Sequence, residues 1–215
     1  MTADDTSRLA EALSAATAFP DPAYRTALMA LASSSSPPVE LADALTANAD
    51  FLVGTVEGGL SGSIAVPSRA MRRLVGALGE SGSAPAQQVL LQHVEHPDQQ
   101  MADAVLGALV TAGPLPVADR GTARTALRGE ALRTMRMLTA LAALQDIPAA
   151  QHVVRGLRDD VTRSRNRAIG LLGLLHDHVS MSRTISLLGA GGAERPLALE
   201  TLEVTVGRSG FPLAL

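Results

Sequence analysis

Apolar residues recur along most of the chain at the three- and four-residue spacing of helices that bury one face. The clearest case is the stretch from 83 to 113, where Pro97 and Asp98 separate two such stripes. Proline is tolerated in the first turn of a helix, and aspartate there accepts hydrogen bonds from the helix N-terminus. The pattern therefore predicts two short helices folded back on each other. A hairpin of about thirty residues cannot bury its apolar stripes alone, which implies stacked neighbours.

The amino-terminal third has a helical period that is less regular. The pattern predicts a helix over roughly residues 5 to 18, a second around Leu28, and a longer one from Leu41 to about residue 57. Between Gly54 and Pro67 the glycines and serines predict a loop with a freely moving backbone.

This loop marks a predicted boundary between an irregular helical cap, residues 1 to 66, and one continuous array, residues 67 to 215.

Within the array, a helix begins at Ser68 and ends at Gly82. No proline interrupts the chain between Asp119 and Gln145, which predicts either one long helix or two helices with a kink near Gly129. Its predicted inner face consists of Leu127, Ala131, Met135, Leu138 and Ala142.

Two further hairpins are predicted towards the carboxyl terminus. One covers residues 148 to 177 with a turn at Asp159 and Asp160, and the other covers residues 179 to 208 with a turn at Gly191 and Gly192. Together with residues 83 to 112 they form three units of nearly equal length. Such regular spacing indicates a solenoid.

Two segments, PSRAMRRLVGALGESG and HPDQQMADAVLGALVTAG, resemble the second helices of HEAT or armadillo-like repeats. The shared pattern is a turn, an apolar residue, an arginine, and small residues that lead to Ala-Leu-Gly. The arginine is Arg72 in the first segment, but Ala102 occupies its position in the second, so the usual ladder of stacked Asp and Arg side chains is broken there.

The resemblance covers about two thirds of the chain and implies a fold and a habit of binding proteins, with no substrate attached. The implied fold is all-α, an alpha-alpha superhelix formed as a right-handed solenoid of HEAT-like hairpins of the degenerate bacterial kind. Composition agrees with the fold class, because 47% of the residues are hydrophobic while aromatic residues make up only 2%.

Composition also excludes some chemistry. The chain contains no cysteine, so disulfides, thiolate zinc sites and cysteine nucleophiles are absent. No apolar run approaches the roughly 18 residues of a membrane span, and the acidic amino terminus lacks the pattern of a signal peptide. We therefore expect a cytoplasmic protein without membrane insertion.

Charge is distributed unevenly along the chain. Residues 1 to 66 hold eight acids and two arginines, whereas residues 67 to 215 hold sixteen arginines and thirteen acids. Every basic residue is arginine, whose planar guanidinium suits carboxylates and phosphates. A GC-rich genome also explains this bias.

The arginines supply one set of candidate binding residues. In HEAT-like solenoids the second helices line the concave surface, so the resemblance implies that these side chains converge on an acidic partner or an anionic small molecule. The alternative is a solvated polar face with weak ion pairs. The candidate residues for partner or anion binding are Arg72, Arg73, Arg124, Arg128, Arg163, Arg165, Arg167, His176 and Asp177.

Histidines at predicted helix ends are the other candidates for chemistry. His93 and His96 lie three residues apart, and His176 and His178 flank Asp177. Imidazoles and carboxylates can form metal sites, but a helix C-terminus also favours a protonated histidine. We predict no metal, no cofactor and no assignable catalytic residue.

Three functions are compatible with the sequence. The resemblance favours a non-catalytic scaffold or adaptor that binds a protein partner in a hetero-complex. An alternative is an enzyme, or a subunit of a heteromeric enzyme in small-molecule biosynthesis, that acts on an anionic substrate in the concave groove. A nucleic-acid-binding protein is the third, disfavoured because the chain has no tryptophan and a single tyrosine, Tyr24, to stack on bases.

Overall fold

The computed structural model describes residues 3 to 176 and Glu200, and the regular structure in this part of the chain is entirely helical. The all-α prediction is confirmed, while the solenoid arrangement stays a prediction. None of the described helices is long and apolar enough to cross a membrane. The described α-helices are α1 (Ala3–Ala18), α2 (Arg25–Ser33), α3 (Leu41–Ala47), α4 (Ala49–Leu60), α5 (Ser68–Ser81), α6 (Ala84–Gln92), α7 (Gln99–Ala112), α8 (Arg120–Leu144) and α9 (Gln151–Leu175).

The chain divides into two compact units, Met1–Gly113 and Pro114–Leu215. The first contains α1 to α7, and the described part of the second contains α8 and α9. The predicted boundary between residues 66 and 67 falls inside the first unit, where α4 and α5 pack on each other. The division into a cap and a repeat array stays a prediction.

Helix α5 is the centre of the first unit, because it packs against α2, α3, α4, α6 and α7. Its predicted bounds are confirmed, and Gly82 ends it in the left-handed conformation at φ 58°. At Gly79 an added Cβ would lie 2.6 Å from the carbonyl oxygen of Ala108, so glycine is required for the close approach of α5 and α7. The buried residues of α5 are Ala70, Met71, Leu74, Val75, Ala77, Leu78 and Gly79.

The predicted hairpin of residues 83 to 113 is present as α6 and α7. Asp98 is the N-cap of α7, and its side chain accepts a hydrogen bond from the Met101 backbone N–H at 3.0 Å. Pro97 precedes this cap rather than lying in the first turn. Ser83 caps α6 in the same way by accepting from the Ala86 N–H. Capping by side chains thus fixes both helix starts.

The single long helix predicted from Leu41 is wrong, because the chain breaks at Asn48 into α3 and α4. Asn48 is 1% exposed, and its Nδ2 donates to the carbonyl oxygens of Ala16 at 2.8 Å and Ala44 at 2.9 Å. Its Oδ1 accepts from the Asp21 backbone N–H at 3.0 Å. This buried amide ties the end of α1 to the α3–α4 junction, and the apolar pattern carries no sign of it.

The loop predicted between Gly54 and Pro67 is wrong in its first half, because α4 continues to Leu60. The glycines in α4 have a packing role. A Cβ at Gly58 would lie 2.5 Å from Ile64 Cδ1, and one at Gly59 would overlap Met71 Cε. These glycines let the following segment and α5 lie directly on α4.

The described part of the second unit is one long pair of antiparallel helices. Thr134 on α8 meets Ser164 on α9, and the Leu115 N–H before α8 donates to the Leu174 carbonyl near the end of α9. Of the two alternatives for residues 119 to 145, the single long helix is correct.

The turn predicted at Asp159 and Asp160 is wrong, because α9 runs through it without a break. Neither residue is a helix breaker like proline or glycine, and Asp160 pairs with Arg163 one turn later at 2.9 Å. The last predicted hairpin, residues 179 to 208, lies outside the described residues apart from Glu200.

The predicted inner face of α8 is also wrong beyond Leu127. Ala131 and Ala142 are exposed, as are Met135 at 60% and Leu138 at 49%. The residues of α8 that are buried are instead Ala123, Ala126, Leu127 and Glu130. The helix is therefore rotated so that a partly polar face meets α9.

Replacing Asn48 tests the link between α1 and the α3–α4 junction. Asn48→Ala leaves the Ala16 carbonyl oxygen and the Asp21 N–H without their side-chain partner, while the Ala44 carbonyl keeps its bond from the backbone N–H at position 48. We therefore expect the free energy of unfolding to fall by about 2 to 3 kcal/mol. Urea denaturation followed by circular dichroism measures this loss. Gln88→Ala removes an exposed amide from α6 and serves as the control. Equal stability of both variants would contradict the assigned role of Asn48.

Candidate functional site

An exposed apolar stripe runs along α8 on the side that does not face α9. We call it the α8 stripe, and it contains three large side chains, Leu132 at 48%, Met135 at 60% and Leu138 at 49% exposure. Small exposed residues, Ala131 and Ala142, complete it. The spacing of one helix face makes these residues neighbours on one surface. Ala131, Met135, Leu138 and Ala142 belong to the predicted inner face of the helix, whereas Leu132 does not.

Positive charge lies at the amino-terminal end of the α8 stripe. Arg124 and Arg128 are exposed and lie one to two turns before it on the same side of the helix. The one acidic residue in α8 is Glu130, which is only 5% exposed. The accessible surface of α8 is therefore apolar and basic, with no carboxylate to neutralise its arginines from within the helix.

A buried polar network explains why this face is turned outward. Glu130 accepts from the Ser164 hydroxyl at 2.5 Å and from Arg167 Nε at 3.3 Å, and Ser164 also bonds Thr134 at 2.6 Å. Arg167 is 8% exposed. Two buried charges are tolerated when each satisfies the other, and moving either helix by one turn would separate them. Arg167, predicted to bind a partner or anion, lies inside the helix pair.

The other predicted arginines have varied surroundings. In the first unit, Arg73 Nη1 donates to the carbonyl oxygens of Ala32 and Ser34 at the end of α2. Arg72 is exposed and its Nη1 contacts Gln100 Oε1 at 3.4 Å.

Two of the predicted arginines lie on α9 beside the buried Arg167. Arg163 pairs with Asp160, and Arg165 is exposed. The structure therefore places Arg72 and Arg73 in one unit and Arg124, Arg128, Arg163, Arg165 and Arg167 in the other.

His176 lies directly after α9, close to the start of α8. Burial lowers the pKa of His176, and the positive charges of Arg120 and Arg124 lower it further. The neutral form of His176 is therefore favoured more strongly than the neutral form of a free imidazole is in water. Asp177, its predicted companion, lies outside the described residues.

His93 lines a shallow polar cleft of about 520 Å³ in the first unit, together with Glu57, Ser61 and Ser63. Burial and the neighbouring His96 lower the pKa of His93, against the opposing effect of Glu57. Both serine hydroxyls donate to the Gly58 carbonyl at 3.0 to 3.1 Å. They are therefore bonded to backbone instead of being paired with His93 as a nucleophile would be.

No metal site emerges from the described residues, since none of their His, Asp and Glu side chains form a group of three suited to a metal ion. Comparisons with family models, curated proteins and solved structures find no match for the chain. What the fold and the surface define is an all-helical protein with a basic and apolar face on a long helix.

The ion pair between α8 and α9 can be tested by changing one or both partners. Arg167→Met leaves the Glu130 carboxylate buried without its cation, so we expect the free energy of unfolding to fall by about 3 kcal/mol. Glu130→Gln in the same chain removes that charge while keeping an acceptor for Ser164. The double variant should therefore recover at least about half of the loss in urea denaturation. A double variant no more stable than Arg167→Met would contradict the role of the ion pair.

Proposed function

We propose that the protein is a non-catalytic adaptor, and that the α8 stripe binds an acidic amphipathic helix of a partner protein in a hetero-complex. The observation that carries the proposal is the exposure of Leu132, Met135 and Leu138 on one face of α8. The likeness of two segments to HEAT-like repeats, a class that commonly binds proteins, supports it. A cytoplasmic setting stays part of the proposal.

Exposed apolar side chains are common singly, whereas several aligned on one rigid helix favour a docking surface. Burying a large aliphatic side chain fully contributes about 1.5 to 3 kcal/mol. Three such residues, together with the two alanines, supply an apolar centre for an interface. A helix laid along them would place its own apolar side chains at the spacing of one helix face.

The charge of the surface indicates the chemistry of the partner. Arg124 and Arg128 adjoin the stripe, and the single acid of α8 is buried. Acidic residues beside the apolar face of the partner would pair with these guanidinium groups. Such complementary charge selects the partner and accelerates association more than it adds to affinity.

The same charge disfavours the other occupants of this surface. Two copies of α8 packed face to face would bring positive surfaces together, which is repulsive. A nucleic acid would pair with the arginines, but its phosphate backbone would leave Leu132, Met135 and Leu138 in water or beside charge. The enzyme alternative needs a site for an anionic substrate, and the cleft at His93 is lined by none of the predicted arginines.

Fluorescence anisotropy with a labelled acidic peptide tests the proposal. The peptide has about eighteen residues, or five helical turns, with leucines along one face and glutamates elsewhere. We expect Met135→Glu with Leu138→Glu to weaken binding at least tenfold, because two carboxylates would enter the apolar centre and repel the peptide. Raising the salt concentration should also weaken binding by the unchanged protein.

The matched control is Val117→Glu, which introduces the same group at a side chain that is 79% exposed but precedes α8. This variant should bind the peptide within about twofold of the unchanged protein. Equal weakening by both changes, or binding that is indifferent to Met135 and Leu138, would overturn the proposal. Concentration-dependent dimerisation that the Met135→Glu and Leu138→Glu changes abolish would identify a second copy as the occupant instead.

A further inference from the structure

A separate groove lies in the first unit between α3, α5 and the segment before α3. We call it the α3–α5 groove, and its volume is about 290 Å³. This is close to the lower limit of volume for pockets that enclose small molecules. The lining residues are Pro37, Pro38, Val39, Leu41, Ala42, Leu45, Arg73, Gly76, Ala77 and Glu80.

The floor of the groove is apolar and rigid. Leu41, Leu45 and Ala77 are between 1% and 4% exposed, so they belong to the packed core. Gly76 also lines the groove, and a Cβ built on it would meet no atom within 4 Å. The missing side chain of Gly76 therefore leaves space that the rest of the fold does not fill.

The two charged residues of the groove are each held in place by a neighbouring helix. The guanidinium of Arg73 donates through Nη1 to the carbonyl oxygens of Ala32 and Ser34. The carboxylate of Glu80 accepts from the Thr46 hydroxyl at 2.9 Å. Within the described chain neither side chain forms an ion pair with an opposite charge.

The backbone positions of Arg73 and Glu80 on α5 set an approximate length for the ligand. Arg73 and Glu80 are seven residues apart on α5, which corresponds to about 10.5 Å along the helix axis. An extended tripeptide spans about the same distance, at 3.3 to 3.6 Å per residue. A ligand that fits both ends therefore carries an anion and a cation separated by about three residues of backbone.

We infer that the α3–α5 groove binds short apolar peptides with free termini, about three residues long. The peptide carboxylate lies against Arg73, its terminal ammonium lies against Glu80, and its side chains cover Ala77 and the space above Gly76. This site differs from the α8 stripe in its residues and in its ligand. Its test is therefore independent of the test of the proposed adaptor function.

Isothermal titration calorimetry with the tripeptide alanyl-leucyl-alanine tests the inference. Gly76→Leu should abolish binding, because its side chain fills the groove, while the helix is kept since leucine favours helix more than glycine does. Gly107→Leu is the matched control, because Gly107 is exposed on α7 with equal free space around it and lies outside the groove. Circular dichroism confirms the fold of both variants.

The charged ends are tested separately. Glu80→Gln keeps an acceptor for Thr46 and should weaken the tripeptide about fivefold, as expected for an exposed charge pair. The same tripeptide acetylated and amidated at its ends should bind at least tenfold more weakly than the free peptide. Binding that survives Gly76→Leu, equal binding of the capped peptide, or no binding of the free peptide at millimolar concentration would each overturn the inference.

Discussion

The buried pair of Glu130 and Arg167 decides how the second unit presents its surface. A glutamate at 5% exposure would cost several kcal/mol if left without a counter-charge, so α9 must bring Arg167 to it. Ser164 on α9 completes the network through hydrogen bonds with Thr134 and Glu130 on α8. These bonds hold the two helices at one register. A rotation of α8 that buried its apolar stripe against α9 would leave this carboxylate unpaired or exposed. The apolar face of α8 is therefore directed outward by a polar interaction.

The first unit is organised by different means. Its helices are short and begin at side-chain caps such as Ser83 and Asp98, and glycines allow α4, α5 and α7 to approach closely. A single buried amide, Asn48, donates hydrogen bonds to the carbonyl oxygens of Ala16 and Ala44 where the chain breaks between α3 and α4. The unit holds twelve acids and five arginines, whereas residues 114 to 176 hold ten arginines and five acids. The basic character of the α8 surface thus belongs to its unit, which favours an acidic partner.

Features determined by neighbouring residues were predictable from the sequence. The bounds of α5 follow from its apolar spacing and from Gly82, and the start of α7 follows from Asp98. Features that depend on residues distant in sequence were not predictable in this way. The break at Asn48 depends on Ala16 and Asp21, which lie about thirty residues away in sequence and bond only in the folded chain.

The α8 stripe shows the same limit. Hydrophobic periodicity places Ala131, Met135, Leu138 and Ala142 on one apolar face and predicts that this face is buried, and it does not include Leu132. Nothing in the local pattern indicates that Glu130 would be buried against an arginine 37 residues later. The candidate arginines were chosen by type and spacing, and only their contacts separate the exposed Arg124 and Arg128 from the buried Arg167. Of the charged residues of the groove only Arg73 is among the candidates, and nothing in the local sequence pattern indicates the free space at Gly76.

Thiol labelling most directly tests the claim that the apolar face of α8 is exposed in the free protein. The chain contains no cysteine, so single cysteines can be introduced on opposite sides of α8 without background. Met135→Cys and Leu138→Cys should react with a maleimide at nearly the rate of the unfolded chain. Leu127→Cys, at a site 7% exposed, should react at least about a hundredfold more slowly, because it requires opening of the helix pair. Protection of Met135→Cys equal to that of Leu127→Cys would show that the stripe is already covered, and would contradict the assignment of this face to a partner.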